Sequence, residues 1–393
     1  MKKLSALFVQ DHNRNGGAAR AAGRWARLLD REGHIVKQAA GDEAASAGFL
    51  LTGKPPRGWQ RILECFTGKK KGRKKEVEQR LGKLLAKGKP DFVWFHNIAG
   101  GRKWGWSEEM ISIARQYSPV IWTLHDMWAL GDSRESYWQE DSVVEGGKRK
   151  GAGKSRVEGV IGKPGKYPVI LTAPSRWLAD LAKEWTDMDC VFLPNPIDLE
   201  IYSPGNRIEA RKRWGLPEEG LVILVGADSL ADPRKGFDLL LEAWSQGRKG
   251  ATLALFGRNG QEREGIVNLG SIDTDEAMAD AYRAADLYVH PARQENAPCT
   301  VQESLACGTP VLAFAVGGIP EMVVPSKTGF LVNEISARSL SNELVCLLAN
   351  SDKLEQMRSD CRRSAGSKWD PKWLTMRFEE ITGGVVQDQK AGQ

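Results

Sequence analysis

The sequence predicts an α/β protein made of two doubly wound domains, and three observations carry that expectation. The chain has 393 residues, more than one hydrophobic core usually serves, since domains commonly hold about 100 to 200 residues. Short apolar, β-rich runs alternate with helical stretches, the pattern of βαβ units on parallel sheets. The alternation breaks once, at the polar, Pro- and Gly-containing "IDLEIYSPGNR" around residue 200, and then restarts. The expected division is a first domain over 1–200, a second over 201–367, and a C-terminal helix and tail over 368–393 that crosses back to the first.

The strands expected in the first domain are "LSALFVQ" (4–10), "HIVKQAA" (34–40), "DFVWFH" (91–96), "PVIWTLH" (119–125), "VILTAPS" (169–175) and "CVFLPN" (190–195). In the second they are "LVILVGA" (221–227), "ATLALFG" (251–257), "IVNLGSI" (266–272), "ADLYVHPA" (285–292), "TPVLAFA" (309–315) and "GFLVN" (329–333). Helices fit between them, such as "GGAARAAGRWARLLDREG" after the first strand and "DLLLEAWSQG", "DEAMADAYRAA" and "TVQESLACG" later, each closing at glycine or a short loop. The opening "MKKLSALFVQDHN" has a broken apolar run and no small-residue cleavage site, so it is expected to be a buried strand rather than a leader. No apolar run reaches about 18 residues, so no transmembrane helix is expected, and a cytoplasmic location follows, either free or peripheral on the inner face of the plasma membrane. Six scattered cysteines and five dispersed histidines form no zinc-binding spacing. Free thiols in a reducing compartment are the expectation.

Ligands of open α/β sheets bind at the carboxyl ends of strands, which directs attention to the loops there. After the first strand, Gly16 and Gly17 open a helix whose unpaired N–H groups suit an anion, although tight-turn chemistry explains such a pair equally well. After the first strand of the second domain, Arg234 and Lys235 stand before Gly236 and a new helix. Two cations at a helix start oppose the macrodipole and make better sense with a phosphate between them, the alternative being a solvated pair on a surface loop. In "RQENAPCTVQESLACGTPVLAF" (293–314), Glu295 lies on a loop, and Glu303 falls in the first turns of a helix with Pro298 expected at its first position. Helix stabilisation by an acidic residue accounts for Glu303 but not for Glu295. Gly317 and Gly318 follow the next strand at the same edge.

Taken in order, "GGAARAA", "HNIAGG", "TLHDMWALGD", "APSRWLAD", "LPNPIDLEIYSP", "RKGFDLLLEA", "DLYVHPARQENAPCTVQESLACGTPVLAFAVGGIPEMV" and "TGFLV" resemble retaining glycosyltransferases of family 4, with the GT-B fold of two Rossmann-like domains facing across a cleft. The "HDMW" loop is similar to that of bacterial surface-polysaccharide, colanic-acid-type transferases. The resemblance implies an acceptor-binding first domain and a nucleotide-sugar-binding second one. It implies that Glu295 lies beside the reacting carbon of the donor sugar and that Glu303 binds the ribose hydroxyls of the nucleotide. A carboxylate is a suitable acceptor for a vicinal diol. Backbone N–H groups of Ala297, Pro298's neighbour Cys299 and Thr300 would face the donor phosphates at the helix start. Lys235 would bind the diphosphate and stabilise the leaving group. The family arginine eight residues earlier is Ala227 here, which leaves Arg234 as the alternative second cation. His125 matches the histidine next to the donor sugar, with Asp126 and Trp128 following, while His96 and Asn97 are weaker candidates for acceptor contacts. The co-substrate would be a nucleotide-diphosphate sugar. No cofactor and no metal is expected, since no Asp-x-Asp pair occurs in a suitable loop.

Charge adds a partner. Net charge is +6, yet residues 54–89 hold thirteen Lys or Arg against three Glu. Within 54–75, Trp59, Ile62, Leu63 and Phe66 interleave with the cations, which suits either an anionic membrane surface or a solvated face. Nucleic acid is disfavoured because no binding motif accompanies the run. Trp104, Trp106, Trp128 and Trp138 are expected in loops, where indoles stack on sugars or simply pack. The Gly- and Lys-rich segment 145–166 is expected to be a mobile loop without the family's cysteine-bearing insertion. The acceptor would be a saccharide or a lipid-linked saccharide. Two rival functions remain: a GT-B sugar-nucleotide epimerase, and a non-catalytic nucleotide-sugar-binding protein.

Overall fold

The computed structural model describes residues 3–10, 16–40, 48–50, 69–96, 98–99, 106–131, 144–145, 148–149, 155–247, 250–260 and 264–391. Its strands are β1 (Ser5–Gln10), β2 (Ile35–Ala40), β3 (Gly48–Leu50), β4 (Phe92–Phe95), β5 (Val120–Thr123), β6 (Val144–Glu145), β7 (Lys148–Arg149), β8 (Val169–Ala173), β9 (Cys190–Phe192), β10 (Val222–Ser229), β11 (Thr252–Arg258), β12 (Ile266–Asn268), β13 (Leu287–His290), β14 (Val311–Phe314) and β15 (Gly329–Val332). Among the described residues they form a seven-stranded sheet of order β3-β2-β1-β4-β5-β8-β9, a six-stranded sheet of order β12-β11-β10-β13-β14-β15, and the small pair β6-β7. Both large sheets are parallel throughout.

The chain divides into two compact units, Met1–Pro196 with Pro371–Gln393, and Ile197–Asp370. In each, strand order reverses once, between β1 and β4 and between β10 and β13. Those reversals are the switch points at which crevices open at the carboxyl edge of a doubly wound sheet.

The first unit buries one core on each sheet face. Leu7, Val9, Val93, Phe95 and Trp122 face the helices Lys69–Gly88 and Glu109–Ala114, which contribute Val77, Leu81, Leu85, Met110 and Ile111. The opposite face carries Phe8, Trp25, Phe92 and Trp94, closed by Leu374, Phe378 and Ile381 of the last helix, Pro371–Ala391. Phe378 stacks on Trp94 with ring centroids 5.6 Å apart, so the final helix is integral to this core. Beneath it Trp94 Nε1 donates to Thr123 Oγ1 at 2.7 Å, which gives the buried indole its partner.

Two expectations are corrected here. Among the described residues of 145–166 are the end of β6, β7 and a helix, Arg156–Ile161, stabilised by a reciprocal capping box between Ser155 and Glu158. Trp106 and Trp128 are not available for sugar stacking. They are 2% and 5% exposed, and Arg156 lies 4.5 Å above the Trp128 ring while donating to the Trp128 carbonyl.

In the second unit Val222, Leu224, Phe256, Tyr282 and Tyr288 pack with the helices Asp275–Ala284, Cys299–Ala306 and Ser351–Lys368, and Ile223, Val225, Phe237 and Leu240 fill the other face. The chain entering this unit is pinned by arginines. Arg283 Nη2 donates to the Ile201 carbonyl at 2.6 Å, and Arg362 reaches the carbonyls of Leu199 and Tyr202 at 2.9 and 2.8 Å.

Candidate functional site

At the second switch point two loops are fastened together. The one after β10 folds into a short 3-10 turn, Pro233–Lys235, capped by Asp232 and ended by Gly236 at φ 66°. A Cβ on Gly236 would lie 1.8 Å from the Pro291 carbonyl oxygen, so only glycine lets the loops approach this closely. Arg293, on the loop after β13, donates to Asp238 through Nη1 and Nη2 at 2.7 and 2.6 Å and to the Pro233 carbonyl at 2.7 Å. The fork-to-fork geometry adds direction as well as energy. The result is that Lys235 Nζ meets Glu295 Oε2 at 2.6 Å, with side chains 30% and 12% exposed.

The two cations expected to share an anion are therefore separated in this structure. Arg234 turns back on Asp232, through Nε at 3.0 Å and Nη2 at 2.6 Å, while Lys235 faces Glu295. Ala227, on β10, offers no charge there.

Glu295 is oriented through both oxygens. Oε1 accepts from the Asn296 N–H at 3.2 Å, and Oε2 accepts from Lys235 and lies 3.6 Å from His290 Nε2. Burial alone would raise its pKa, but Lys235 and His290 outweigh that and hold it below the usual carboxylate range. His290 is driven the other way, its pKa lowered by burial although Glu295 opposes this. Behind it Tyr288 Oη lies 3.2 Å from His290 Nδ1 and 3.3 Å from the Gly226 carbonyl. His290, Tyr288 and the Arg293–Asp238 pair were not singled out from the sequence. The one available signal was the period-2 placement of Tyr288 and His290 on one face of a strand ending at the ligand edge.

The helix Cys299–Ala306 begins where expected, with one correction. Pro298 is its N-cap rather than its first residue, and it supplies no side-chain cap. Glu303 is fully buried and accepts from Tyr282 Oη at 3.0 Å. In this structure it has no surface to offer a diol, so ribose contact requires the helix start or Tyr282 to move. Gly318 N–H donates to the Asn296 carbonyl at 3.0 Å, tying the glycine turn after β14 to the same loop.

The first unit has its own polar cluster at the β1/β4 switch point. His96 Nδ1 and His125 Nε2 are 3.0 Å apart, and His96 stacks on Trp94 with centroids 5.1 Å apart. Burial lowers both pKa values, with His125 adding to the shift at His96, and His125 falls to about 4. Both rings are thus neutral near pH 7. Asp126 caps the turn Met127–Ala129 by accepting from the Trp128 N–H at 2.9 Å, a structural role. Gly16, at φ 89°, is the N-cap of the helix Gly17–Arg31, again without a side-chain cap. Asn97, Trp104, Trp138 and residues 54–68 lie outside the described residues. Of 54–75, only the helix from Lys69 is described. Among the described residues no helix is long and apolar enough to cross a membrane, and no group of three His, Cys, Asp or Glu is placed to hold a metal ion.

Two parallel, doubly wound sheets with a closing C-terminal helix are the GT-B fold, and solved structures share it over the whole chain. Sucrose-phosphate synthase from Thermosynechococcus elongatus superposes with a TM-score of 0.74 at 19% identity, covering 100% of both chains. Anabaena HepE in complex with UDP-glucose gives 0.71 at 16% identity, covering 97% of this chain and 100% of that one. Residues 219–350, the part holding Lys235, Glu295 and Glu303, match the family described as glycosyl transferases group 1. D-inositol 3-phosphate glycosyltransferase of Segniliparus rotundus is 32% identical over 222 residues, 51% of this chain and 49% of that protein. Its counterpart in Mycobacteroides abscessus is 35% identical over 152 residues, 35% and 34% of the two chains. The chain spans about half the length of the first of these relatives and a third of the second.

Proposed function

We propose that this protein is a retaining, family 4-type glycosyltransferase that moves a sugar from a nucleotide-diphosphate donor to a hydroxyl acceptor. The observation that carries the reading is the Lys235–Glu295 pair at 2.6 Å, on the switch point of a group 1 glycosyl transferase domain. Glycosyl transfer develops positive charge on the sugar ring and negative charge on the departing diphosphate. A buried ionised carboxylate suits the first, and a lysine able to exchange partners suits the second. Glu303 would take the ribose and the Cys299–Ala306 helix start the phosphates, while the neutral His125 would face the sugar. The leaving group would be neutralised by Lys235, aided by Arg234 if it leaves Asp232, without a metal. Same-face attack and double displacement are both compatible with these groups.

The acceptor in this reading is a saccharide or lipid-linked saccharide of surface-polysaccharide or glycolipid synthesis, reached at the inner membrane face through residues 54–75. Incubation with a panel of UDP-, GDP- and ADP-sugars and sugar or polyprenyl-diphosphate-sugar acceptors tests it, with the product's anomeric configuration read by NMR. Transfer with retention that persists in EDTA is expected. Epimerised donor without acceptor would establish the epimerase alternative, and binding without turnover the non-catalytic one. Anionic vesicles at low salt test the membrane contact, which is dropped if the protein does not sediment with them.

A further inference from the structure

His290 Nε2 is a buried nitrogen with no hydrogen bond in this structure, 3.6 Å from the oxygen that Lys235 holds. Its other nitrogen is within reach of Tyr288 Oη, which also reaches the Gly226 carbonyl. Thr300 also adjoins the phenol, and where the single phenolic proton goes decides the tautomer. If it goes to Gly226 or Thr300, His290 must protonate Nδ1 to bond the phenol oxygen and turn the Nε2 lone pair toward a carboxylate, which is repulsive. If it goes to His290 Nδ1, Nε2 carries hydrogen and faces Glu295 as a donor. Only the second arrangement pairs the buried groups favourably.

We propose that His290, held as the Nε2–H tautomer by Tyr288, is a positioning residue that takes over the Glu295 carboxylate when Lys235 leaves it for the donor's diphosphate. This rests on the transferase reading above, because it needs an anion that draws Lys235 away. Without His290 the carboxylate would be left buried with only the Asn296 N–H, and it would then tend to protonate. With it, closing the 3.6 Å gap supplies a charge-assisted hydrogen bond in the same step. The charged and titratable groups around the contact are Lys235 from the 3-10 turn, Glu295 from the loop, Tyr288 from the strand, and Glu303, whose charge faces Tyr288 from the helix behind. Burial keeps Tyr288 protonated, so its O–H remains a donor across the working range.

The tautomer and the takeover are measurable without turnover. Imidazole nitrogen shifts of the unligated protein should show His290 neutral with hydrogen on Nε2 near pH 7. In Lys235→Met, which removes the lysine as the diphosphate would, the His290 pKa should rise by about one unit or more, a tenfold or larger shift in its protonation equilibrium. An Nδ1–H tautomer, or a His290 titration unchanged in Lys235→Met, would overturn the proposal. In turnover, His290→Leu should lower kcat about tenfold or more, leave the donor KM within about twofold, and move the acid limb of kcat up by about one pH unit, while His290→Gln, which keeps an N–H donor, should recover most of the loss. An unmoved acid limb, or a glutamine variant no better than leucine, counts against it. If no nucleotide sugar is turned over by the wild type, the transferase reading fails, and the two titration measurements still decide whether His290 takes the carboxylate.

Discussion

Lys235 holds two prospective roles on one ammonium group, partner to Glu295 in the resting structure and counter-charge to a leaving diphosphate in the proposed reaction. Removing it should therefore affect turnover more than affinity. Lys235→Ala is expected to lower kcat by about 10²- to 10³-fold, the range for loss of one preorganised charge-stabilising group, with donor Kd changed far less. Steady-state kinetics beside calorimetric binding of the nucleotide check this, and preserved turnover with weakened binding would refute it. The His96–His125 pair makes a prediction of a different kind. His125 keeps its neutral form down to about pH 4, whereas in the unfolded chain it takes a proton near 6.5. Between those values the unfolded state binds more protons, so stability rises with pH and is lost as pH falls through the window. A variant carrying His96→Gln and His125→Asn should show a shallower decline of Tm between pH 6.5 and 4, by roughly 2–4 °C for each 1 kcal/mol of linkage removed. Parallel Tm curves for the two proteins would mean the pair does not titrate as the geometry requires.

At the scale of elements, the site is one clamp made from two loops, and Gly236 is where they touch. Its φ of 66° suits glycine, and a methyl group there would collide with backbone rather than with a side chain that can swing away. Gly236→Ala should destabilise the second unit by about 1–3 kcal/mol and also separate Lys235 from Glu295, so that stability and activity fall together. A crystal structure of the variant with the 2.6 Å contact intact would contradict this. How much was legible in advance follows the same geometry. Lys235, Glu295 and Glu303 stand out in the sequence because each sits just beyond a strand or at a helix start, a local pattern. Tyr288, His290, Arg293 and Asp238 do not, because their meaning depends on β13 pairing beside β10 across some sixty residues. The helix Lys69–Gly88 was obscured by its lysines, although Val77, Leu81 and Leu85, four apart and all fully buried, trace its inner face. The capping box Ser155–Glu158 was likewise present in "SRVE", but the surrounding glycines drew attention to flexibility instead. The tryptophans at 106 and 128 looked accessible because loops usually are, whereas here each packs into the first unit's core.

At the scale of the molecule, the first unit is discontinuous, built from its N-terminal portion and the last helix. Phe378 has no exposed surface and lies against Trp25, Phe92 and Trp94. Phe378→Ala should cost about 3–5 kcal/mol through the cavity it leaves, and the loss should fall on the first unit. Calorimetry and tryptophan fluorescence should show an early transition assignable to that unit while nucleotide binding to the second survives. A single transition shifted as a whole would show instead that the units melt together. The same discontinuity sets an order of events on the ribosome. The first unit's sheet emerges early, but the aromatic lid over Trp25 and Trp94 is encoded after the entire second unit. At about 5–20 residues per second, some ten to thirty seconds pass before Phe378 is even synthesised. Through that interval the nascent chain carries an apolar face without its native cover, until the second unit has been made and the last helix can close the first.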